Sequence, residues 1–207
     1  MEGEGAFADL LDWRRRVFSL YDEVRRTSAT DAAKAHAHWC RVRDELFASH
    51  PASALAPGDR ERFRGLRYFP YDPAFRFTAP LAEEAGERFE VHTSTDEAMW
   101  LRHIGHVELP LGRLPVFWVD VYGGGIFLPF RDATSGSETY GGGRYLLDTV
   151  KGADLGSTAD GKLVLDLNFA YHPSCHYHPR WSCPLAGPDS RLAQRIEAGE
   201  MVWEGAH

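Results

Sequence analysis

Between Gly123 and Pro184 the chain collects reactive side chains at a density that core packing alone does not explain. Arg131-Asp132 follows an apolar run ending in Pro129-Phe130, and a polar loop then carries Glu138 and Tyr140 to a triple glycine and Arg144. Two guanidiniums can grip a carboxylate or phosphate bidentately. Asp132 and Glu138 can move protons beside them. The same four residues could equally form an internal clamp that ties the loop to its scaffold. An arginine clamped in that way still offers free donors to a ligand.

A second constellation follows. If 163–170 is a strand, Val164, Asp166, Asn168 and Ala170 share one face and Leu163, Leu165, Leu167 and Phe169 the other. A polar strand face usually meets water. The sharper alternative turns Asp166 and Asn168 into a polar cavity, with Tyr171 and Tyr177 as aromatic walls. His172, Cys175, His176, His178 and Cys183 then form the densest metal-capable run. Their spacing matches no standard zinc finger or ribbon. Buried free thiols rank first for Cys175 and Cys183, a metal site second and a disulfide third. No residue is assigned to a metal, and no motif specifies a cofactor.

The glycine runs Gly123–Gly125 and Gly141–Gly143 lack the Lys-Ser/Thr of a phosphate-binding loop and the helix start of a dinucleotide fingerprint. Strand-like sequence follows each run. Their expected use is positive φ, bulges and close backbone approach. His103 and His106 lie in a strand-like run and could face the cavity, although a structural role is the commoner fate of such histidines.

The elements that must position these residues change character near Leu66. Before it, Leu10, Trp13, Val17, Leu20, Tyr21 and Val24 recur at helical spacing over Asp9–Arg26. Thr30 and Asp31 are N-cap types for a second helix through Trp39, Val42, Leu46 and Phe47, stopped by Pro51. Pro57-Gly58-Asp59 opens a third helical turn. After Leu66, short β-branched and aromatic runs dominate: 75–78, 89–93, 100–109, 114–122, 126–130, 145–147 and 163–170. Gly112-Arg113 reads as a tight hairpin connection. Residues 190–198 read as a last short helix with Gly199 as its stop. No helices alternate with the strands, so a parallel sheet is not expected.

The chain has 207 residues and a net charge of −7, with 43% hydrophobic and 13% aromatic residues. That is enough to bury a full core. The acidic balance argues against nucleic-acid and anionic-membrane partners. No apolar run approaches the roughly 20 residues that span a bilayer. Three cysteines and an acidic N-terminus without a signal pattern suit a cytoplasmic protein.

Four strings carry a family resemblance: LRYFPYDPAFRF (66–77), GGIFLPFRDATSGSETYGGGRYL (124–146), LDLNFAYHPSC (165–175) and CPLAGPDSRL (183–192). Together they resemble the bacterial and archaeal "domain of unknown function" family numbered sixteen-eighty-four. The resemblance implies a shared fold and site without naming a chemistry. This chain departs from the family pattern at His172, an Asn-like position, and at His176, a small one.

The expected fold is α+β and mainly antiparallel: a barrel- or sandwich-like sheet with an N-terminal helical hairpin packed on it. Residues 1–66 would be the helical region and 67–207 the β domain, as one structural unit. The expected function is a polar, anion-accepting small-molecule pocket, with hydrolase-like acid/base chemistry if it is catalytic. Asp132, Glu138 and Asp166 would be the catalytic groups; Arg131, Tyr140, Arg144, Asn168 and Tyr171 would hold the ligand. The alternatives are a non-catalytic ligand-binding or sensor barrel, and a metal- or thiol-bearing module at Cys175 and Cys183. Oligomeric state stays open.

Overall fold

In the computed structural model, which describes residues 6–205, the apolar stripes of the N-terminal segment become two antiparallel helices. Helix α1 spans Ala6–Ser28 and buries Leu20, Tyr21 and Val24. Helix α2 spans Ala32–Ser49 and buries Ala35, His36, Trp39, Leu46 and Phe47. The Asp31 carboxylate caps α2 by accepting from the Lys34 N–H at 2.9 Å, which satisfies one of the donors a helix start leaves free. A short α3, Pro57–Arg62, closes the helical part.

The strands are β1 (Arg67–Tyr68), β2 (Arg76–Ala79), β3 (Ala82–Glu83), β4 (Arg88–His92), β5 (Ala98–Leu109), β6 (Gly112–Val119), β7 (Gly125–Phe130), β8 (Arg144–Asp148), β9 (Leu163–Asp166) and β10 (Glu200–Met201). The main sheet runs in the order β3-β5-β6-β7-β8, with β4 also on β5. Two smaller ladders pair β2 with β9 and β1 with β10. All the ladders between these strands are antiparallel. Leu20, Tyr21, Val24 and Trp39 of the hairpin share a core with Val116, Leu128, Phe130, Leu146, Leu165 and Phe169. The result is a sandwich-like layering of helices on sheet; among the described residues the sheet does not close into a barrel.

Three local expectations need correction. The β5–β6 hairpin turns at Pro110-Leu111, because Leu109 already pairs with Gly112. Residues 163–170 are strand only to Asp166; a 3-10 turn, Leu167–Phe169, follows. The Asp166 carboxylate causes that switch by accepting the Asn168 N–H at 3.1 Å, which caps the turn. Residues 190–198 form no helix. Their backbone is committed elsewhere: Ser190 O accepts from Arg131 N at 2.7 Å, Leu192 N donates to Arg131 O at 2.8 Å, and Gln194 O accepts from Ala133 N at 3.0 Å. A carbonyl engaged by a distant partner is not free for an i→i−4 bond.

The second glycine run works as expected at Gly143, where φ is +92° and a Cβ would lie 2.6 Å from the Phe130 carbonyl oxygen. Gly143→Ala is therefore expected to destabilise the fold by about 1–3 kcal/mol. Urea unfolding checks this; a loss below a few tenths of a kcal/mol would show that the loop relaxes freely.

Candidate functional site

A buried ionic network lies where the hairpin meets the sheet. Arg43 of α2 reaches Glu200 of β10, Nη2 to Oε2 at 2.7 Å. The glutamate is fully buried and the arginine side chain is 12% exposed. Glu200 also accepts the His172 N–H at 3.0 Å and the Tyr177 hydroxyl. The Arg43 guanidinium lies over the rings of Trp39, Phe47 and Tyr171 at 4.8, 5.3 and 5.1 Å. Burial dominates Glu200 and lifts its pKa from 4.5 to about 7, although Arg43 and the His172 N–H pull the other way. Arg43 is held charged: burial is the largest single influence and works against the charge, but Glu200, Tyr68 and Tyr21 together outweigh it and raise the pKa.

His172 sits beside this pair. Its Nε2 accepts the Tyr140 N–H at 3.1 Å, so in the neutral ring the proton is on Nδ1. Burial, His176, Arg144 and Arg43 all hold the His172 pKa well below its usual value. Nδ1 is buried without a hydrogen-bond acceptor; the nearest Glu200 oxygen is 3.8 Å away. Arg43 Nε is also buried without a well-formed bond, although Tyr68 stands close to the guanidinium.

Both residues line a narrow cleft of about 80 Å³ between α1 and the sheet. Tyr21, Tyr145 and Tyr171 form its aromatic walls, with Asp148 and Lys151 beside them. Trp13, Lys151 and Ser174 border both this cleft and a second hollow of about 230 Å³ that reaches Trp181 and Cys183. Tyr171 is brought here by a two-bond bridge to Tyr145, with N–O distances of 2.8 and 3.0 Å in the two directions.

The residues singled out in the sequence fall into separate groups. Arg144 and Asp132 meet as a fully buried pair, Nη2 to Oδ1 at 3.3 Å. Arg144 also donates to the Ile196 carbonyl at 3.0 Å and to the Ala198 carbonyl, and covers the Phe130 ring. Asp132 additionally accepts from the Ile196 N–H at 2.7 Å and from Thr134 and Ser135. These contacts are those of an internal clamp. Arg131 is half-buried and its Nε has no partner. Glu138 pairs with Arg195 at 2.5 Å near the surface. Tyr140 packs on His176, ring centres 5.0 Å apart, and its hydroxyl lies 3.9 Å from Cys175 Sγ.

Asp166 and Asn168 do come together, Oδ1 to Nδ2 at 2.8 Å, but with Arg76 and Tyr71 as the further partners of Asp166. Burial raises the Asp166 pKa against these bonds. Asn168 also fastens the Asp72 backbone at both ends of its amide, at 2.9 and 2.8 Å. A separate hollow of about 280 Å³ reaches Asp166 and Arg76. No direct contact joins Arg131, Glu138, Arg144 and Asp166 to one another among the described residues. Of the expected ligand-holding residues, Tyr171 lines the cleft.

Sequence reasoning missed Arg43, Lys151 and Glu200. Arg43 had a visible signal: it stands in a stripe with Trp39 and Phe47, each four residues away, and a charge inside an apolar stripe needs a partner. Glu200 had none; its acceptor role depends on a strand pairing from the far end of the chain. No group of three or more His, Cys, Asp or Glu side chains with metal-holding geometry occurs among the described residues. No helix among them is long and apolar enough to cross a membrane.

Comparison with known proteins adds a family and a fold. A family model described as a protein of unknown function (DUF1684) matches residues 61–201. The solution NMR structure of an uncharacterized protein from Haloarcula marismortui is similar at 31% identity, over 78% of this chain and 89% of that one, with a TM-score of 0.53. No curated protein matches.

Proposed function

We propose, for a chain that belongs to the DUF1684 family, that the cleft between the helical hairpin and the sheet binds a small anionic ligand. One observation carries this reading: Arg43 and His172 both line the cleft, and each has a buried donor, Nε and Nδ1, without a well-formed hydrogen bond. A buried donor left unpaired costs about 1–3 kcal/mol, so an incoming acceptor gains what the fold forgoes. Lys151 at the cleft is half exposed and 3.7 Å from Asp148, which supports a role in drawing an anion in. The aromatic walls suit a flat apolar body on that anion. A volume of about 80 Å³ favours a carboxylate of few heavy atoms.

Binding and holding are the roles these residues support. Glu200, with a pKa near 7, can in addition exchange a proton close to neutrality. The N-terminal hairpin supplies Arg43 from outside the matched segment 61–201. The ligand contact would therefore join the N-terminal hairpin to the matched segment.

Melting curves with acetate, benzoate and inorganic phosphate test this. A bound anion at a hundredfold excess over its Kd stabilises by about 2.7 kcal/mol, about 5–10 °C in Tm for a domain of this size. Lys151→Gln is expected to shrink that shift at fixed concentration and to leave the ligand-free Tm nearly unchanged. An undiminished shift in both Lys151→Gln and Tyr171→Phe would place the anion elsewhere, and no shift with any probe would overturn the reading.

A further inference from the structure

The cleft that holds Arg43 and His172 has a neighbour. The hollow of about 230 Å³ beside it shares Trp13, Lys151 and Ser174 with the cleft as common borders. Trp13 stands on α1, with its ring 5.9 Å from that of Phe47 and 5.3 Å from that of His50. Phe47 also lines the cleft. The indole is thus a wall common to both spaces.

The two spaces differ in chemistry. The cleft carries Arg43, Asp148, Lys151 and His172. The wall of the hollow is built from Leu10, Trp13, Ala52, Ala54, Trp181 and Cys183. The polar edges of that wall are paired within the chain. Trp181 Nε1 donates to the Ala54 carbonyl at 2.9 Å, the Ala52 N–H donates to His50 Nδ1 at 3.0 Å, and the Ser182 and Thr93 hydroxyls bond at 2.6 Å. Cys183 is a free thiol, 2% exposed, and such a thiol packs as a small hydrophobe. The wall therefore offers an occupant apolar contact and asks for no hydrogen bond. Leu10, Trp13 and Trp181 are only half-buried, so apolar surface there is left to be covered.

The charges at the hollow have one sign. Lys151 lies where cleft and hollow meet, and Arg14 of α1 borders the hollow as well. Both are exposed. Among the described residues no carboxylate lines the hollow. An alkyl ammonium would meet two like charges there, and an alcohol would gain nothing from either. An apolar wall beside cations matches an anion with an apolar chain.

We infer that cleft and hollow together form one site for a straight-chain carboxylate, with its head at Arg43, His172 and Lys151 and its alkyl chain running past Trp13 into the hollow. The chain extends the anion reading of the cleft, on which this rests, to the body of the ligand. The two spaces together reach the low end of the roughly 300–1,000 Å³ that small-molecule sites enclose.

Titration calorimetry on the full chain with acetate, butanoate, hexanoate and octanoate tests this, with hexan-1-ol and inorganic phosphate alongside. Each methylene that enters the hollow is expected to lower Kd about threefold to fourfold, and octanoate is expected to bind at least about a hundredfold tighter than acetate. Lys151→Gln should weaken the whole series and keep the gain per methylene. Ala52→Phe fills the hollow and should cut the acetate-to-octanoate ratio of Kd values below about tenfold. Leu10→Glu sets a carboxylate beside the chain and should cut the same ratio without filling the hollow; circular dichroism checks that both variants fold. Acetate binding with no gain along the series overturns the hollow as part of the site and leaves the anion reading standing, as does binding of phosphate alone. Absence of binding by every carboxylate and by phosphate overturns both. A gain that survives both Ala52→Phe and Leu10→Glu, or that hexan-1-ol matches, also overturns the inference, because the chain then lies elsewhere or binds without its head.

Discussion

Arg144→Met is expected to remove about 3–5 kcal/mol of stability, a large part of the roughly 5–15 kcal/mol that holds a domain folded. Arg144 and Asp132 are both fully buried. Taking away the guanidinium leaves a carboxylate in the interior with neutral donors only, and strips the Ile196 and Ala198 carbonyls of their partner. Burial already pulls the Arg144 pKa down, with Asp132 opposing it, so the pair exists by mutual compensation. Removing both charges should therefore cost less than removing one. Arg144→Met with Asp132→Asn is expected to be more stable than Arg144→Met alone, because the amide still accepts the Ile196 N–H. Denaturant unfolding of the three proteins decides this. If the single replacement loses less than about 1 kcal/mol, the clamp does not hold the loop.

Acid is expected to unfold the protein between about pH 4 and 6.5, well above the range where most carboxylates titrate. Three buried histidines drive this. Burial lowers the pKa of His36 and of His176 from 6.5 to about 4, and that of His172 well below 6.5. Below pH 6.5 the unfolded chain takes up protons that the folded one refuses. Stability contributed by these groups is thus present above pH 6.5 and lost as pH falls toward their folded values. For His36 and His176 the fall from 6.5 to about 4 corresponds to about 3 kcal/mol each.

Glu200 opposes them. Its pKa is raised from 4.5 to about 7, so it contributes stability below pH 4.5 that is lost as pH rises through 7. Burial raises Asp44 and Asp166 in the same sense as Glu200, so the net uptake on unfolding is smaller than the three protons the histidines alone would take. Denaturant midpoints over a pH series measure that slope. Glu200→Gln should steepen it, whatever it does to stability at neutral pH. A stability flat between pH 7 and 5 would mean that the histidines are not held neutral by the fold.

What the chain determines locally was legible in its sequence. The stripes of Leu20, Tyr21, Val24, Trp39 and Phe47 give the helical hairpin, since burial of one face needs no information from elsewhere. The short runs after Leu66 give strands, and the want of intervening helices makes their pairing antiparallel. The strings 66–77, 124–146, 165–175 and 183–192 carry the family. Expectations failed where a distant partner won over local pattern. Residues 190–198 look helical, yet their carbonyls are taken by Arg131, Ala133 and Arg144. Residues 163–170 alternate like one strand, yet Asp166 turns back on Asn168.

The site follows the same division. Of the residues singled out in the sequence, Tyr171 and His172 line the cleft, while the charges beside glycine do not. Which charges face a cleft was not legible. Arg131, Asp132 and Arg144 drew the eye, but the fold spends Asp132 and Arg144 on each other. The Arg43–Glu200 pair spans 157 residues of sequence and exists only once α2 lies across the β1–β10 ladder. Two ionisable groups that far apart acquire a shared environment through packing, and burial rather than residue type then sets their charge. Tertiary structure alone decided that assignment.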